Sequence, residues 1–329
     1  MKLKKITVTG GAGYIGSLAT RALLDRGYEV QVIDNLSRGH QWAVDKRAAF
    51  SKCDLLDRAL LSKSLKSFQP EAVIHFAALI QVNESVNQPE LYLRNNFEGS
   101  RNLLECMKEN SISKIVFSST AAVYGTPESI PIEEGEPLAP VNPYGESKAK
   151  TEQLLQHYCQ NHQFAGTAFR YFNVAGAHPD GTLGEAHEPE THLIPKILEA
   201  ARRGEPVKVF GNNYPTPDGT CVRDYVHVMD LVDAHLLALE HQISRKFEAF
   251  NLGSERGFSV LEVIRATEKV VGQKIAIEMN ERRAGDPPVL IAQSTKATRI
   301  LGWVRKYPDL STMIEHALQW HRSCFKTRA

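Results

Sequence analysis

Ile6-Thr7-Val8-Thr9-Gly10-Gly11-Ala12-Gly13-Tyr14-Ile15-Gly16-Ser17 joins a short β-rich run, a glycine turn and the start of a helical pattern in one uninterrupted stretch. The glycines recur as Gly10-x-x-Gly13-x-x-Gly16. Glycine lets the backbone turn tightly and lets a pyrophosphate come close. The helix that follows offers unpaired N–H groups and the positive end of its dipole to the phosphates. A glycine turn with no ligand has the same composition. Its place between a strand and a helix is what points to a dinucleotide. Asp34 ends the next β-rich run, eighteen residues after Gly16. A carboxylate there accepts hydrogen bonds from ribose hydroxyls and repels a 2′-phosphate, which predicts NAD rather than NADP. Asp54 follows the third run and is placed to reach the adenine edge.

Outward from that stretch, β-rich runs alternate with helical patterns. Residues 6–9, 30–33, 72–76, 115–118 and 167–170 read as buried strands. Residues 17–26, 96–109 and 146–161 read as helices. This alternation predicts an α/β fold with a doubly wound parallel sheet, ligands sitting beyond the carboxyl ends of the strands. Past Val174 the chain becomes rich in Gly, Pro, Asn and Thr up to residue 222, with one helix near 194–203. Leu193, Ile194, Val209 and Phe210 are apolar anchors that keep this insertion folded. Regular structure resumes at Tyr225–Val228 and 230–241, and the tail from 260 to 321 reads helix, strand, helix, helix. The expected division is 1–174 with 225–253 in one part, and 175–224 with 254–329 in a second, smaller α/β part.

The chain has 329 residues, 42% of them apolar, and 39 basic against 38 acidic groups. That balance excludes the electrostatic footprint of a nucleic-acid or anionic-membrane binder and favours a small-molecule partner. Cys53, Cys106, Cys159, Cys221 and Cys324 are scattered, odd in number and without a CxxC pair, as free thiols in a reducing compartment would be. The glycine turn interrupts any apolar run behind the N-terminal lysines, and no apolar stretch of about 18 residues occurs. A cytoplasmic, soluble protein is expected.

Tyr144-Gly-Glu-Ser-Lys148 is the second anchor. Pro143 favours a helix start, and Tyr and Lys at i and i+4 share one helical face. A free phenol has a pKa of about 10. Two nearby cations, the ammonium and a bound nicotinamide, would favour the phenolate, and lowering the pKa by about three units requires roughly 4 kcal/mol. The outcome would be a general base poised near neutrality. Tyr-x-x-x-Lys arises by chance in many helices. Here it follows the glycine turn by about 130 residues, and the strand at 115–118 runs into Ser118-Ser119-Thr120, placing hydroxyls at a carboxyl end.

With these residues in order, the chain resembles the extended short-chain dehydrogenase/reductase family, and within it the nucleotide-sugar 4-epimerases that interconvert UDP-glucose and UDP-galactose. The resemblance runs nearly end to end. It is carried by GGAGYIGS (10–17), VIDNLSRG (32–39), HFAA (75–78), FSSTAAVYG (117–125), NPYGESK (142–148), RYFNVAGAHPDG (170–181), HLIP (192–195), VFGNNYPTPDGTCVRDYVHVMDLVDAH (209–235), NLGS (251–254) and RRAGDPP (282–288). Residues 209–235 are its most specific part.

The resemblance implies a Rossmann-type NAD-binding domain and a smaller UDP-sugar-binding domain. It makes Tyr144 the base, Lys148 its electrostatic partner and Thr120 the holder of the substrate hydroxyl. Gly10, Gly13, Tyr14, Ile15 and Gly16 would cradle NAD, with Asp34, Asn35, Asp54 and Leu55 at its adenosine half. Phe76, Ala77, Ala78, Asn95, Ser118 and Tyr171, together with Tyr144 and Lys148, would line the rest. Asn173, Leu193, Phe210, Arg223, Arg283 and Asp286, with Thr120 and Tyr144, would hold the UDP-sugar. It further implies a homodimer joined through helices 96–109 and 146–161. Three places depart or vary. Many relatives carry Lys shortly after the Phe-Ala pair, where this chain has Leu79-Ile80. Leu290 falls where some relatives carry a bulky Tyr, a position linked to acceptance of N-acetylated sugars. Thr120-Ala121-Ala122 lacks the Asp-Glu pair of the sugar 4,6-dehydratases, so no acid stands there to eliminate water. His178, His187 and His192 match no usual ligand spacing, and no metal is expected. No GxSxG elbow occurs to suggest a hydrolase. The rivals are an epimerase of UDP-N-acetylhexosamines or UDP-pentoses, and a non-catalytic NAD-binding sensor.

Overall fold

The computed structural model describes residues 3–241, 246–283 and 286–328. The chain opens β1 (Lys5–Thr9), α1 (Tyr14–Asp25), β2 (Glu29–Asp34), β3 (Ala49–Lys52), α2 (Arg58–Phe68) and β4 (Ala72–His75). Two short helices, α3 (Val82–Asn87) and α4 (Pro89–Tyr92), lead through a π-helical run at Leu93–Glu98 into α5 (Gly99–Glu109). Then come β5 (Lys114–Thr120), α6 (Pro143–Asn161) and β6 (Ala165–Tyr171). The second half adds β7 (Asn173–Ala175), α7 (Leu193–Arg203), β8 (Val207–Phe210), β9 (Val222–His227), α8 (Val228–Glu240), β10 (Phe247–Leu252) and β11 (Gly257–Ser259). It ends with α9 (Val260–Val271), β12 (Ile277–Asn280), β13 (Val289–Leu290), α10 (Thr295–Leu301) and α11 (Leu310–Arg328).

Seven strands form one parallel sheet in the order β10-β6-β5-β4-β1-β2-β3. Helices cover both faces, so the strands are apolar on both sides: Ile6, Val8, Val32, Val73, Ile74 and Val116 are fully buried. The polar side chains within the sheet are paired. Thr7 lies opposite Gln31 and donates to its side chain at 2.9 Å, and the Thr9 hydroxyl meets His75 Nδ1 at 2.6 Å. Between β1 and β4 the chain order reverses, opening a crevice beyond the carboxyl ends of these strands.

The smaller part holds β11-β9-β13 with β7 also on β9, and a separate β8–β12 pair. Ile194 and Ile197 of α7, Val263 and Ile264 of α9, and Met313 and Ile314 of α11 build its core. The doubly wound α/β expectation holds. Three details differ from the sequence reading. The π-helical run splits the expected helix 96–109, with only its second part in regular α form. The strand expected at Tyr225–Val228 begins at Val222 and pairs with the small sheet, so the expected boundaries at 174 and 225 fall inside β7 and β9. Phe247–Leu252, unassigned by periodicity, is the edge strand beside β6.

Gly10 sits at φ +73°, and a Cβ there would lie 2.6 Å from the Ala77 nitrogen. Gly27, at φ +82°, has open space around its Cβ position. Gly27→Ala should therefore cost about 1–2 kcal/mol, the strain of a left-handed residue. Gly10→Ala should cost roughly 3 kcal/mol or more, because backbone rather than a flexible side chain blocks it. Urea unfolding of the two variants measures the difference.

Candidate active site

The carboxyl end of β5 presents Ser118, Ser119 and Thr120, all buried. α6 crosses this end. Its start is fixed by Pro143 in the first turn and by Asn142, whose side-chain oxygen accepts from the Gly145 N–H at 2.8 Å. Gly145 is required here: a Cβ would come within 2.5 Å of the Ala122 carbonyl oxygen. That close seating turns Tyr144 and Lys148 toward β5 and buries both. The Lys148 ammonium donates to the Ser118 carbonyl at 2.8 Å and lies 4.9 Å from the Phe117 ring centre.

Burial pushes the Tyr144 phenol up to about 12, while the Thr120 hydroxyl acts in the lowering direction. Burial pushes Lys148 down to about 7, opposed by the nearby Glu152 carboxylate. The phenol poised near neutrality is thus not reached with the chain's own groups, because desolvation outweighs them. A further positive charge in the cavity beside the ring acts in the required direction.

A cavity of about 470 Å³ connects Tyr144 to the glycine turn. Gly10, Gly13, Tyr14, Ile15 and Gly16 line one end. Asp34, Asn35, Asp54 and Leu55 continue the wall, followed by Phe76, Ala77, Ala78 and Asn95. Ser118, Thr120, Tyr144 and Tyr171 stand at the middle, and Asn173, Arg223 and Asp286 at the far end. Four expected residues do not line it. Lys148 is buried against the Ser118 carbonyl, and Leu193, the first residue of α7, packs on the core of the smaller part. Phe210 and Arg283 stack on each other, the guanidinium 4.0 Å from the ring centre. Arg223 forms an ion pair with Asp286.

The residues present fit a dinucleotide. No side chain caps α1 at Gly13, so its first N–H groups are left for a ligand. A Cβ on Gly16 would lie 2.1 Å from the Gly10 carbonyl oxygen, so only glycine keeps the turn this tight. Asp34 accepts from the Ala12 N–H at 3.0 Å and the Leu36 N–H at 2.8 Å, and burial raises its pKa. Asp54 accepts from the Asn35 side chain at 3.0 Å, tying the two loops of this wall together. At the Leu79-Ile80 departure, the Leu79 N–H donates to Asn96 Oδ1 at 2.8 Å, and both side chains line the cavity without a charge.

The sequence reading takes His187 and His192 as loop and substrate-site residues, and it misses the carboxylates that share their wall in the loop after β7. Glu185, His187, Glu188 and His192 all line the cavity. Glu185 is buried and bridges His187, at 2.9 Å, and His192. The paired histidines hold the Glu185 carboxyl below its usual range against the opposing effect of burial, and its charge raises His192. Glu190 completes a group whose donor atoms lie within 4.8 Å of one another. Only the fold could show this grouping, since the histidine spacing alone omits both carboxylates. His178 lies elsewhere, paired with Asp180 at 2.7 Å.

The model of the NAD dependent epimerase/dehydratase family matches residues 6–253. The chain belongs to this family. It is 50% identical over 322 residues to a UDP-glucose 4-epimerase of Lacticaseibacillus casei, covering 97% of each chain. A UDP-glucose 4-epimerase from Brucella ovis, solved in complex with NAD, superposes with a TM-score of 0.92 at 44% identity, covering 96% of this chain and 97% of that one. A UDP-glucose 4-epimerase from Bifidobacterium longum, solved with NAD+ and UDP, gives 0.93 at 37% identity, covering 97% and 98%. Within the family frame, the cavity runs along the crevice at the chain reversal, where this class of fold binds its ligands.

Lys148 is neutral more readily in the folded chain than in the unfolded one, whose lysines titrate near 10.4. The unfolded state therefore binds more protons between pH about 7 and about 10, and this site's penalty shrinks as pH rises through that window. Lys148→Met should stabilise the protein at pH 6. That gain should fall by about 2 kcal/mol at pH 9, as read by urea unfolding at both pH values.

Proposed function

We propose that this chain is a UDP-glucose 4-epimerase that inverts C4 of UDP-galactose and UDP-glucose reversibly, with NAD as its resident cofactor. The observation that carries the reading is the single cavity that joins the glycine turn, Thr120 and Tyr144, and the Arg223–Asp286 pair. It agrees with identity of 50% over 97% of a curated UDP-glucose 4-epimerase. NAD, when bound, supplies a hydride acceptor and donor for the sugar carbon. Tyr144 takes the 4-hydroxyl proton and returns it to the same oxygen once the hexose has turned, a general acid–base role. Thr120 shares that hydroxyl and keeps it oriented toward the phenol. Lys148, on the same helical face, supplies the fixed positive charge that favours the phenolate. Asn173, Arg223 and Asp286, which line the cavity, hold the UDP half, an arginine suiting a pyrophosphate. Grip at the nucleotide leaves the 4-keto hexose free to turn about its linkage, so remote binding energy permits motion at the reacting carbon. Ala121 and Ala122 put no acid beside Thr120, which disfavours elimination of water.

The large sheet and its crevice serve NAD, and the smaller part serves the UDP-sugar. The active form is a homodimer joined through α5 and α6, and the protein works in the cytoplasm. The five cysteines are free, and no helix among the described residues is long and apolar enough to cross a membrane. Leu290 and Phe172 line the sugar end of the cavity, leaving space where a Tyr would intrude, so UDP-N-acetylgalactosamine is a second candidate substrate.

Purified protein is offered UDP-galactose and UDP-N-acetylgalactosamine in parallel, and the products are separated. UDP-glucose from the first is expected. Tyr144→Phe should lower kcat by about 10²-fold or more while NAD stays bound. Near-normal turnover by that variant would remove Tyr144 from its role.

A further inference from the structure

Tyr144, Lys148 and Glu152 recur at every fourth position of α6, and all three are buried. Each meets one residue of the same strand end. Lys148 donates to the Ser118 carbonyl, Glu152 accepts from the Ser119 hydroxyl, and the Tyr144 phenol is influenced by the Thr120 hydroxyl. Glu152 is also gripped by Arg170, which lies opposite Ser119 across β5 and β6. The guanidinium donates from Nε to both carboxylate oxygens at 3.1 Å and from Nη2 at 2.6 Å. Arg170 Nη1 in turn reaches the Tyr124 hydroxyl at 3.0 Å and the Glu134 carbonyl at 3.1 Å. Tyr124 donates to Asn251 at 2.6 Å. A buried ion pair is a poor source of stability, since desolvation offsets most of its attraction. A fixed carboxylate one turn from a buried ammonium nevertheless has a definite electrical effect.

We propose that Glu152, locked by Arg170 and Ser119, is a positioning residue that keeps Lys148 charged one helical turn from the Tyr144 phenol. This rests on the reading of Tyr144 and Lys148 as the proton-handling pair. Without the carboxylate, burial leaves Lys148 with no favourable charge among its neighbours. His75 of β4 is held neutral, between Thr9 and Ser100, and is pushed down to about 3 by burial and by Lys148 itself. From β5, Phe117 and Ser118 offer only a ring face and a carbonyl. From β6, Arg170 is a like charge, and Tyr171 is a phenol that burial raises. Tyr124 is likewise raised, to about 12. Glu152 is the group that acts in the raising direction on Lys148.

The sign of the effect follows. If the ammonium is needed for turnover, activity is lost on the alkaline side as Lys148 gives up its proton. Glu152→Gln should bring that loss to lower pH by about one unit and lower kcat at pH 8 about tenfold. KM for UDP-galactose should stay within about twofold, because the substrate is not touched. Glu152→Asp, which keeps the charge, should restore the profile toward the parent. Glu152→Gln leaves the buried Arg170 unpaired and is liable to fold poorly. Glu152→Gln with Arg170→Gln replaces both charges by hydrogen-bonding amides, and because it also removes the like charge of Arg170, a downward displacement smaller than that of Glu152→Gln is expected. The pH dependence of kcat is measured on the NAD-loaded enzyme for the parent, the three variants and Lys148→Met. An alkaline limb that stays in place in the folded double variant overturns the proposal, as does a loss of kcat that is uniform across pH. Full activity in Lys148→Met would instead overturn the assignment of the Tyr–Lys pair on which it rests.

Discussion

The contact between the first turns of α6 and the carboxyl end of β5 governs the rest of the site. Gly145 lets the helix backbone come against the Ala122 carbonyl, and a larger residue would push it off. At that spacing a lysine side chain just reaches the Ser118 carbonyl and stays dry. Dryness is costly for the ammonium, yet it is also what gives its charge long reach. In water the same charge would be screened and would do little for a phenol a turn away. The seating of one helix therefore sets the electrical environment of the reacting group.

The glycine turn imposes a matching constraint from the other side. Gly10 lies against the backbone at Ala77, and Gly16 against Gly10. Together they bring the end of β1, the end of β4 and the start of α1 to one point at the chain reversal. The cavity is the space left between this knot and the helix–strand contact at Tyr144. Its two chemical ends are held by backbone packing rather than by long flexible side chains.

Much of this was legible in the sequence. The strand–glycine–helix stretch and the buried apolar runs point to the parallel sheet because both faces of its strands are covered. Tyr144 and Lys148 could be placed on one face because helical spacing is local. What local spacing cannot show is which distant segments meet. The strand at Val222–His227 looks like its neighbours in sequence but pairs with the small sheet. Glu185 and Glu190 join two histidines only after the loop folds over the cavity. Arg170 and Glu152 lie eighteen residues apart and read separately as ordinary charges, until β6 and α6 bury them together. Phe210 and Arg283 were grouped with the substrate residues, and the fold stacks them against each other outside the cavity lining.

β9 pairs with the small sheet, and its last residue, His227, caps α8, whose Leu231 and Val232 are packed into the core beneath the large sheet. No linker separates the strand from the helix. β6 and β7 repeat the arrangement, with Phe172 alone between the two sheets. At these two of its crossings between the halves the peptide runs as taut, hydrogen-bonded backbone rather than as a hinge. Neither half can be cut out as an autonomous module without severing a strand from its ladder. Motion that opens the crevice must bend structured chain, which favours small elastic adjustments over wide swings of one lobe.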